Sequence, residues 1–220
     1  MDNDDGRWHI QSLGERHRDL DDAVRALRRP ATWLSDRQRV QRWAHHLLSD
    51  PSVVVLDVQT TGLEQAWAVQ IGVTDRDGTV LLDEQVNPLG DITSAATSLH
   101  GLSRDLLVEA PTFATLLPDL GRLLAGHRCL AYNAEFDRGV LEREVQRLPT
   151  RMRGAAPLLD SCVWEDAMVP YAAWTGLWSA GRRAYRYQSL GGAYDAVDNC
   201  RRLLTTVKRM TQPSSKTTYR

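Results

Sequence analysis

Three places in this chain put an acid or an amide where chemistry could use it. Asp57 follows the apolar run Val53-Val54-Val55-Leu56, and Gln59 comes two residues later, just before Thr60-Thr61-Gly62. Asp137 ends the stretch Tyr132-Asn133-Ala134-Glu135-Phe136-Asp137, past a second apolar run that begins near Arg128. Tyr194, Asp195, Asp198 and Asn199 open a long amphipathic stretch. Period-two alternation places Asp57 and Gln59 on one face of a strand. Carboxylates converging from separate elements suit hard, oxygen-liganded cations such as Mg²⁺ or Mn²⁺. Two such ions about 3.5–4 Å apart activate water and stabilise the leaving oxygen in phosphodiester cleavage. The competing reading makes each acid a helix cap or a solvated surface group. It fits Asp195 and Asp198 as well as the catalytic reading does, but it fits Asp57 poorly, because an apolar strand leads straight into it.

Those residues need elements to hold them at one rim. Residues 52–58, 68–75 and 79–88 read as three strands, with Arg76-Asp77-Gly78 as the turn between the last two, an antiparallel meander. Residues 91–107 read as mixed loop and helix. Residues 111–126 read as helical with Pro118 as an interruption. Arg128 to Ala134 is a fourth strand running directly into a helix over 135–148, and residues 158–164 suggest a short fifth strand. A helix near residues 165–174 follows, then an aromatic loop through Tyr187, then a last helix from about Tyr194 to Met210. Three hairpin-connected strands followed by alternating strands and helices make a mixed α/β sheet. In such sheets ligand-binding groups gather at strand ends and neighbouring helix starts.

Residues 1–50 are rich in Arg, Asp, Gln and His and show no strand pattern. Within them, Ser35 with Gln38 three residues on forms a capping box for a helix whose apolar stripe is Val40, Trp43, Leu47 and Leu48. His45 and His46 are adjacent, so they point apart on that helix and do not make a metal pair. The expected organisation is an N-terminal helical extension over 1–50, one α/β domain over 51–211, and a polar disordered tail over 212–220.

The chain has 220 residues and a net charge of −1, enough length for one full core. A protein that grips long duplex DNA by neutralising phosphates normally carries a strong basic excess; any nucleic-acid contact here is short or local. Cys129, Cys162 and Cys200 lie far apart without zinc-site spacing, and read as core residues in a reducing cytoplasm. No apolar run approaches the roughly 20 residues of a membrane span, and the acidic start Met1-Asp2-Asn3-Asp4-Asp5 is unlike a signal peptide.

The segment from Asp57 to Gly62, Asp-Val-Gln-Thr-Thr-Gly, resembles the first motif of the DEDD exonucleases, normally Asp-x-Glu-Thr-Thr-Gly. Tyr132 to Leu141 resembles the second, Asn-Ala-x-Phe-Asp, and the stretch from His100 resembles the His-Gly-Ile or His-Gly-Leu segment between them. The resemblance covers about residues 50–210. It implies a ribonuclease-H-like sheet flanked by helices, two metal ions, and 3′-to-5′ removal of nucleotides. Thr60, Thr61, Gly62, Asn133 and Phe136 would then meet the terminal nucleotide, and Asp57 and Asp137 would hold the metal. His100 reads as structural.

The third motif departs from the family, which has either His, four residues, Asp or Tyr, three residues, Asp. In one reading Tyr194 and Asp198 form the tyrosine version. In the other, Tyr194 replaces the histidine and Asn199 the aspartate. At about 100° per residue, Asn199 edges the stripe formed by Ala196, Cys200, Leu203, Leu204, Val207 and Met210, while Asp198 points nearly away from it. That geometry favours Asn199. On that reading Asp, Glu, Asp, Asp and His stand as Asp57, Gln59, Asp137, Asn199 and Tyr194. An amide oxygen can coordinate a cation without neutralising it, so a second metal binds weakly. A phenol, with an ordinary pKa near 10, is also a poor proton acceptor at neutral pH.

The expectation is therefore an exonuclease-type protein that acts on or holds the 3′ end of a short single strand of DNA or RNA, or a nucleotide-like ligand, with cleavage impaired. The alternatives are a catalytically inactive module that binds nucleic acid or protein through the same cleft, and an active tyrosine-type enzyme using Asp198. Trp174, Trp178, Tyr185 and Tyr187, interleaved with Arg182, Arg183 and Arg186, could stack on and clamp a single-stranded end. Packing over a cleft rim explains them equally well.

Overall fold

The computed structural model describes residues 2–4, 6–10, 15–18, 20–27, 29–154, 156–191 and 194–212. The remaining residues, including the expected disordered tail from 213 onward, lie outside the description. The chain opens with β1 (Asp2–Asp4), β2 (Arg7–Ile10) and β3 (Glu15–His17), paired in that order as a small antiparallel sheet. Strands of three or four residues are too short for alternation to show, which is why the first 50 residues read as helical alone. Then come α1 (Leu20–Leu27) and α2 (Trp33–Ser49).

Helix α2 begins at Trp33, two residues before the expected cap. Ser35 Oγ instead donates back to the Thr32 carbonyl at 2.7 Å, so the capping box does not form. The early start follows from Trp33 itself. Its ring is buried and its indole N–H donates to the Ala173 carbonyl at 3.0 Å.

The main sheet is built from β4 (Val53–Thr60), β5 (Ala68–Asp75) and β6 (Val80–Gln85), the expected meander, extended by β7 (Arg128–Ala131) and β8 (Val163–Asp166). Its order is β6-β5-β4-β7-β8, with β7 parallel to β4 and β8 parallel to β7. This is the mixed α/β sheet that the resemblance implies. Between β6 and β7 lie α3 (Ser94–His100), α4 (Arg104–Leu107) and α5 (Phe113–Leu124). Pro118 does not interrupt α5. The loss of one N–H is outweighed by a face on which Phe113, Leu117, Leu120 and Leu124 are all buried.

Helix α6 (Ala134–Arg147) follows β7, and α7 (Ala156–Asp160) precedes β8. Residues 158–160, expected in the fifth strand, therefore belong to α7, and the strand starts at Val163. The chain continues through α8 (Met168–Thr175), a hairpin of β9 (Trp178–Ser179) and β10 (Ala184–Tyr185), and α9 (Ala196–Met210).

Alternation along β4 decides what each face carries. Val54, Leu56 and Val58 point into one cluster with α5 and α6, and Val53 and Val55 into another with α2 and α9. Asp57 and Gln59 continue the second set, toward α9. Opposite Asp57 on β5 sits Gly72. A Cβ there would lie 2.8 Å from the Ala196 carbonyl carbon and the Val197 nitrogen. The missing side chain is what lets the first turn of α9 rest on the sheet beside Asp57.

Replacing Gly72→Ala should therefore lift that turn. We expect a loss of about 1–3 kcal/mol in urea unfolding. An unchanged midpoint would show that α9 does not bear on Gly72.

Candidate active site

Strand β4 pairs with β7 only from Val53 to Val55, so the β7 side of its C-terminal half has no strand partner. Asp137, in the first turn of α6, supplies one: its Oδ1 accepts the Val58 N–H at 2.9 Å. Asp137 is only 4 % exposed, and a helix N-terminus favours a carboxylate. Asn133 precedes α6 with φ 65°, in the left-handed region that asparagine tolerates. Its N–H is taken at 3.0 Å by Asp166 Oδ1, which also accepts from Met168 N–H at 2.8 Å. Asp166 thus ties the starts of α6 and α8 together. Sequence reasoning missed it by assigning it to a helix, although it is the last residue of β8.

From the opposite face, α9 brings Asn199. Asn199 Nδ2 donates to Asp57 Oδ2 at 3.2 Å, and Gln59 Nε2 donates to the same oxygen at 2.6 Å. Asp57, Gln59 and Asn199 thus form one hydrogen-bonded set, with Asp137 close enough to interact with Asp57 electrostatically. Asp198 is not part of it: its side chain is 58 % exposed and faces Arg201 at 3.8 Å. Asp195 is the cap of α9, accepting the Asp198 N–H at 2.9 Å. Gln70, also missed from sequence, fixes that cap. Its Nε2 donates to Asp195 Oδ2 at 2.9 Å while its Oε1 accepts the Ala196 N–H at 3.2 Å. Gln70 lies directly across from Gln59 in the β4–β5 register.

A cleft of about 720 Å³ opens over the end of β4, lined among others by Gln59, Thr60, Gly62, Phe136, Leu99 and Tyr194. Tyr194 is half exposed on its edge. Thr60 Oγ1 donates to the Gly62 carbonyl at 2.7 Å, and the buried Thr61 hydroxyl accepts from Trp67 N–H at 3.0 Å. Both hydroxyls are engaged within the turn. His100 Nδ1 accepts the Leu102 N–H at 3.1 Å, so Nε2 carries the proton and donates to the Thr60 carbonyl at 3.1 Å. His100 holds the turn in place, as its structural reading anticipates.

Burial raises Asp57 to about 6. The N–H donors Asn199 and Gln59 pull the other way, and Asp195 adds repulsion. Burial pushes Asp137 well above the usual carboxylate range, with Asp57 as a second cause. No cationic side chain is among the main causes of either shift. Two neighbouring carboxylates that repel each other fit one hard cation. They do not fit the full complement of a four-carboxylate site, because the two remaining positions present amides. No group of three or more His, Cys, Asp or Glu placed to hold a metal occurs among the described residues.

The folded protein holds the Asp57 proton more tightly than the unfolded chain does. Its contribution to stability is therefore complete at low pH and lost as pH rises from about 4 to about 6. Substituting Asp57→Asn should remove that slope, so in metal-free buffer the variant gains on the parent across that interval in urea unfolding. A flat difference would refute the assignment. Substituting Asn199→Leu deletes one donor and should move the Asp57 carboxyl above 6 in a ¹³C NMR titration.

A family model described as exonuclease, of the RNase T type, matches residues 54–175, which include Asp57, Gln59 and Asp137. The chain is 27 % identical over 184 residues to a protein named "Uncharacterized exonuclease CP81" of Escherichia phage 186, covering 76 % of this chain and 89 % of that one. It is 26 % identical over 132 residues to the DNA polymerase III epsilon subunit of Rickettsia typhi, covering 56 % of this chain and 58 % of the subunit. Among solved structures it shares its fold with E. coli exonuclease I in complex with a dA16 oligonucleotide. The TM-score there is 0.56 at 15 % identity, covering 73 % of this chain and 41 % of exonuclease I. The chain thus spans less than two thirds of both the polymerase subunit and exonuclease I. With the mixed sheet, the strand-end acids and the matched span in agreement, the chain belongs to the RNase T exonuclease family, within the DEDD 3′-to-5′ exonucleases.

Proposed function

We propose that this protein holds the 3′ end of a short single strand of DNA or RNA, or a nucleotide-like ligand, at the end of β4, with phosphodiester cleavage weakened by Gln59, Asn199 and Tyr194. The observation that carries this reading is the double donation to Asp57 Oδ2. Where the family motif has two further carboxylates, this chain turns two N–H groups toward Asp57, one of its two remaining acids. Asp57 and Asp137 would hold one Mg²⁺ or Mn²⁺, which when bound polarises the scissile phosphate and lowers the pKa of an attacking water.

The chain's own residues do the rest. Thr60, Thr61 and Gly62 line the cleft where the terminal sugar would lie, and their hydroxyls and carbonyls hold the turn in shape. Phe136 lines the cleft with an apolar ring beside the terminal base. Asn133 starts the helix that carries Asp137. Tyr194 lines the cleft edge, and the resemblance gives it the sequence position of the family's histidine general base. A phenol orients water without accepting its proton readily at neutral pH. Among the alternatives, the inactive binding module shares the same observation. The tyrosine-type reading needs Asp198 in the cluster, and Asp198 faces Arg201 on the outer side of α9.

The test is hydrolysis of a 3′-labelled short strand with Mg²⁺ or Mn²⁺, comparing the parent with Gln59→Glu, Asn199→Asp, Tyr194→His combined. We expect the triple variant to cut at least about 10²-fold faster. A parent as fast as the triple variant would overturn impaired catalysis. A parent silenced by Asp198→Ala would establish the tyrosine type. A triple variant that binds the strand but never cuts it would leave the binding module.

A further inference from the structure

Residues 176–194 contain Arg182, Arg183 and Arg186 and no Asp or Glu, in a chain whose net charge is −1. They form the β9–β10 hairpin and the segment that leads from it to Tyr194. Several aromatic residues here serve the fold. Trp178 and Tyr185 meet edge to face with centroids 5.1 Å apart, and the Tyr185 hydroxyl donates to Asp36 at 2.6 Å. Trp174 stacks on Tyr171 and lies under the Arg37 guanidinium.

The other side chains have no such employment. Tyr187 is 63 % exposed. Arg182, Arg183 and Arg186 are exposed, and no ion pair or side-chain hydrogen bond engages them among the described residues. Arg183 takes φ 49°, the left-handed region where glycine is favoured, so the turn presents a cation at a position that costs strain. Arg182, Tyr185, Arg186 and Tyr187 line a groove of about 500 Å³.

The groove is tied to the cleft. The Tyr132 hydroxyl donates to the Gln188 carbonyl, and Tyr132 directly precedes Asn133 and helix α6. Gln188 is six residues from Tyr194, so it lies within about 22 Å of that residue.

We infer that this hairpin is a second nucleic-acid contact, taking the sugar–phosphate backbone and one unstacked base of a single strand whose 3′ end occupies the cleft. The inference rests on the proposed function of that cleft. Three unpaired guanidinium groups suit phosphate oxygens, and an exposed phenol ring beside them is a stacking platform for any base. Only three cations and a near-neutral chain point to a single strand rather than a duplex.

The experiment is fluorescence-anisotropy binding of a trinucleotide and of a strand of about 12 nucleotides, with Ca²⁺ in place of Mg²⁺. The parent is compared with Arg182→Ala, Arg183→Ala, Arg186→Ala combined, and separately with Tyr187→Ala. We expect both variants to bind the longer strand more weakly, the arginine variant by at least about tenfold. Its log–log salt slope should be shallower by about 2, near 0.7 per lost contact. Trinucleotide affinity should stay within about twofold of the parent. If both variants bind the longer strand like the parent, the hairpin is not a nucleic-acid contact, whether it serves an acidic protein partner or none, and the cleft reading stands. If the parent binds neither length, both readings fall. If it binds only the longer strand and the arginine variant loses that binding, the hairpin contact stands and the cleft reading falls.

Discussion

The N–H of Val58 projects from β4 where β7 has already turned away, and the Asp137 carboxylate is the group that accepts it. A buried N–H without a partner costs about 1–3 kcal/mol, so this bond fixes the first turn of α6 against the end of the sheet. The geometry around it is adjusted to match. Asn133 enters the left-handed region to let β7 pass into α6 within two residues, and Asp166 holds the resulting N–H. A carboxylate is thereby placed in the interior beside Asp57, with burial and mutual repulsion both opposing its charge.

On the other face, α9 reaches the same rim because Gly72 lets its first turn touch β5. Gln70 and Asp195 then set the rotation of the helix, which leaves Asn199 facing Asp57 and Asp198 facing Arg201. The chemical consequence lies in the sign of the groups that meet. Four carboxylates converging here would repel one another until cations arrived. Asp57 and the two amides complete a hydrogen-bonded set from the chain's own donors, while Asp137 takes the Val58 N–H, so the site is organised by the protein itself. On the proposed function, two amides in place of two carboxylates also leave less charge with which to hold a second ion.

The N-terminal region joins this scaffold through aromatic and guanidinium contacts. The Trp33 indole donates to Ala173 and lies against the turn at Gly176, whose φ is 75° and where a Cβ would come within 2.4 Å of the indole nitrogen. Arg29 lies over Trp33 at 3.8 Å and Arg37 over Trp174 at 4.6 Å. Asp36 receives the Tyr185 hydroxyl, so α2 also supports the hairpin that carries Arg182, Arg183 and Arg186. Placement of the cationic turn therefore depends on residues about 150 positions earlier in the chain.

Much of the rim is legible in the sequence because it obeys local periodicities. An apolar run leading into Asp57, a two-residue offset to Gln59, and a 3.6-residue stripe beside Asn199 all follow from backbone geometry that the chain carries with it. The stripe from Ala196 to Met210 is buried throughout. Departures arise where a distant contact overrides a local signal. Ser35 has the chemistry of a cap, but Trp33 binds Ala173 and starts the helix earlier. Pro118 has the chemistry of a break, but the buried face of α5 carries the helix through it. The strands of the N-terminal sheet are too short to leave a periodic trace. Asp166 and Gln70 act by bonding backbone groups brought beside them from other elements, and no spacing in the sequence announces such a bond. The sequence by itself determined which residue types stand at the strand end, hence the family and the loss of one carboxylate at Gln59. Only the tertiary structure decided which of Asp198 and Asn199 meets Asp57, because that depends on how closely α9 approaches β5, and hence on a glycine far away in the chain.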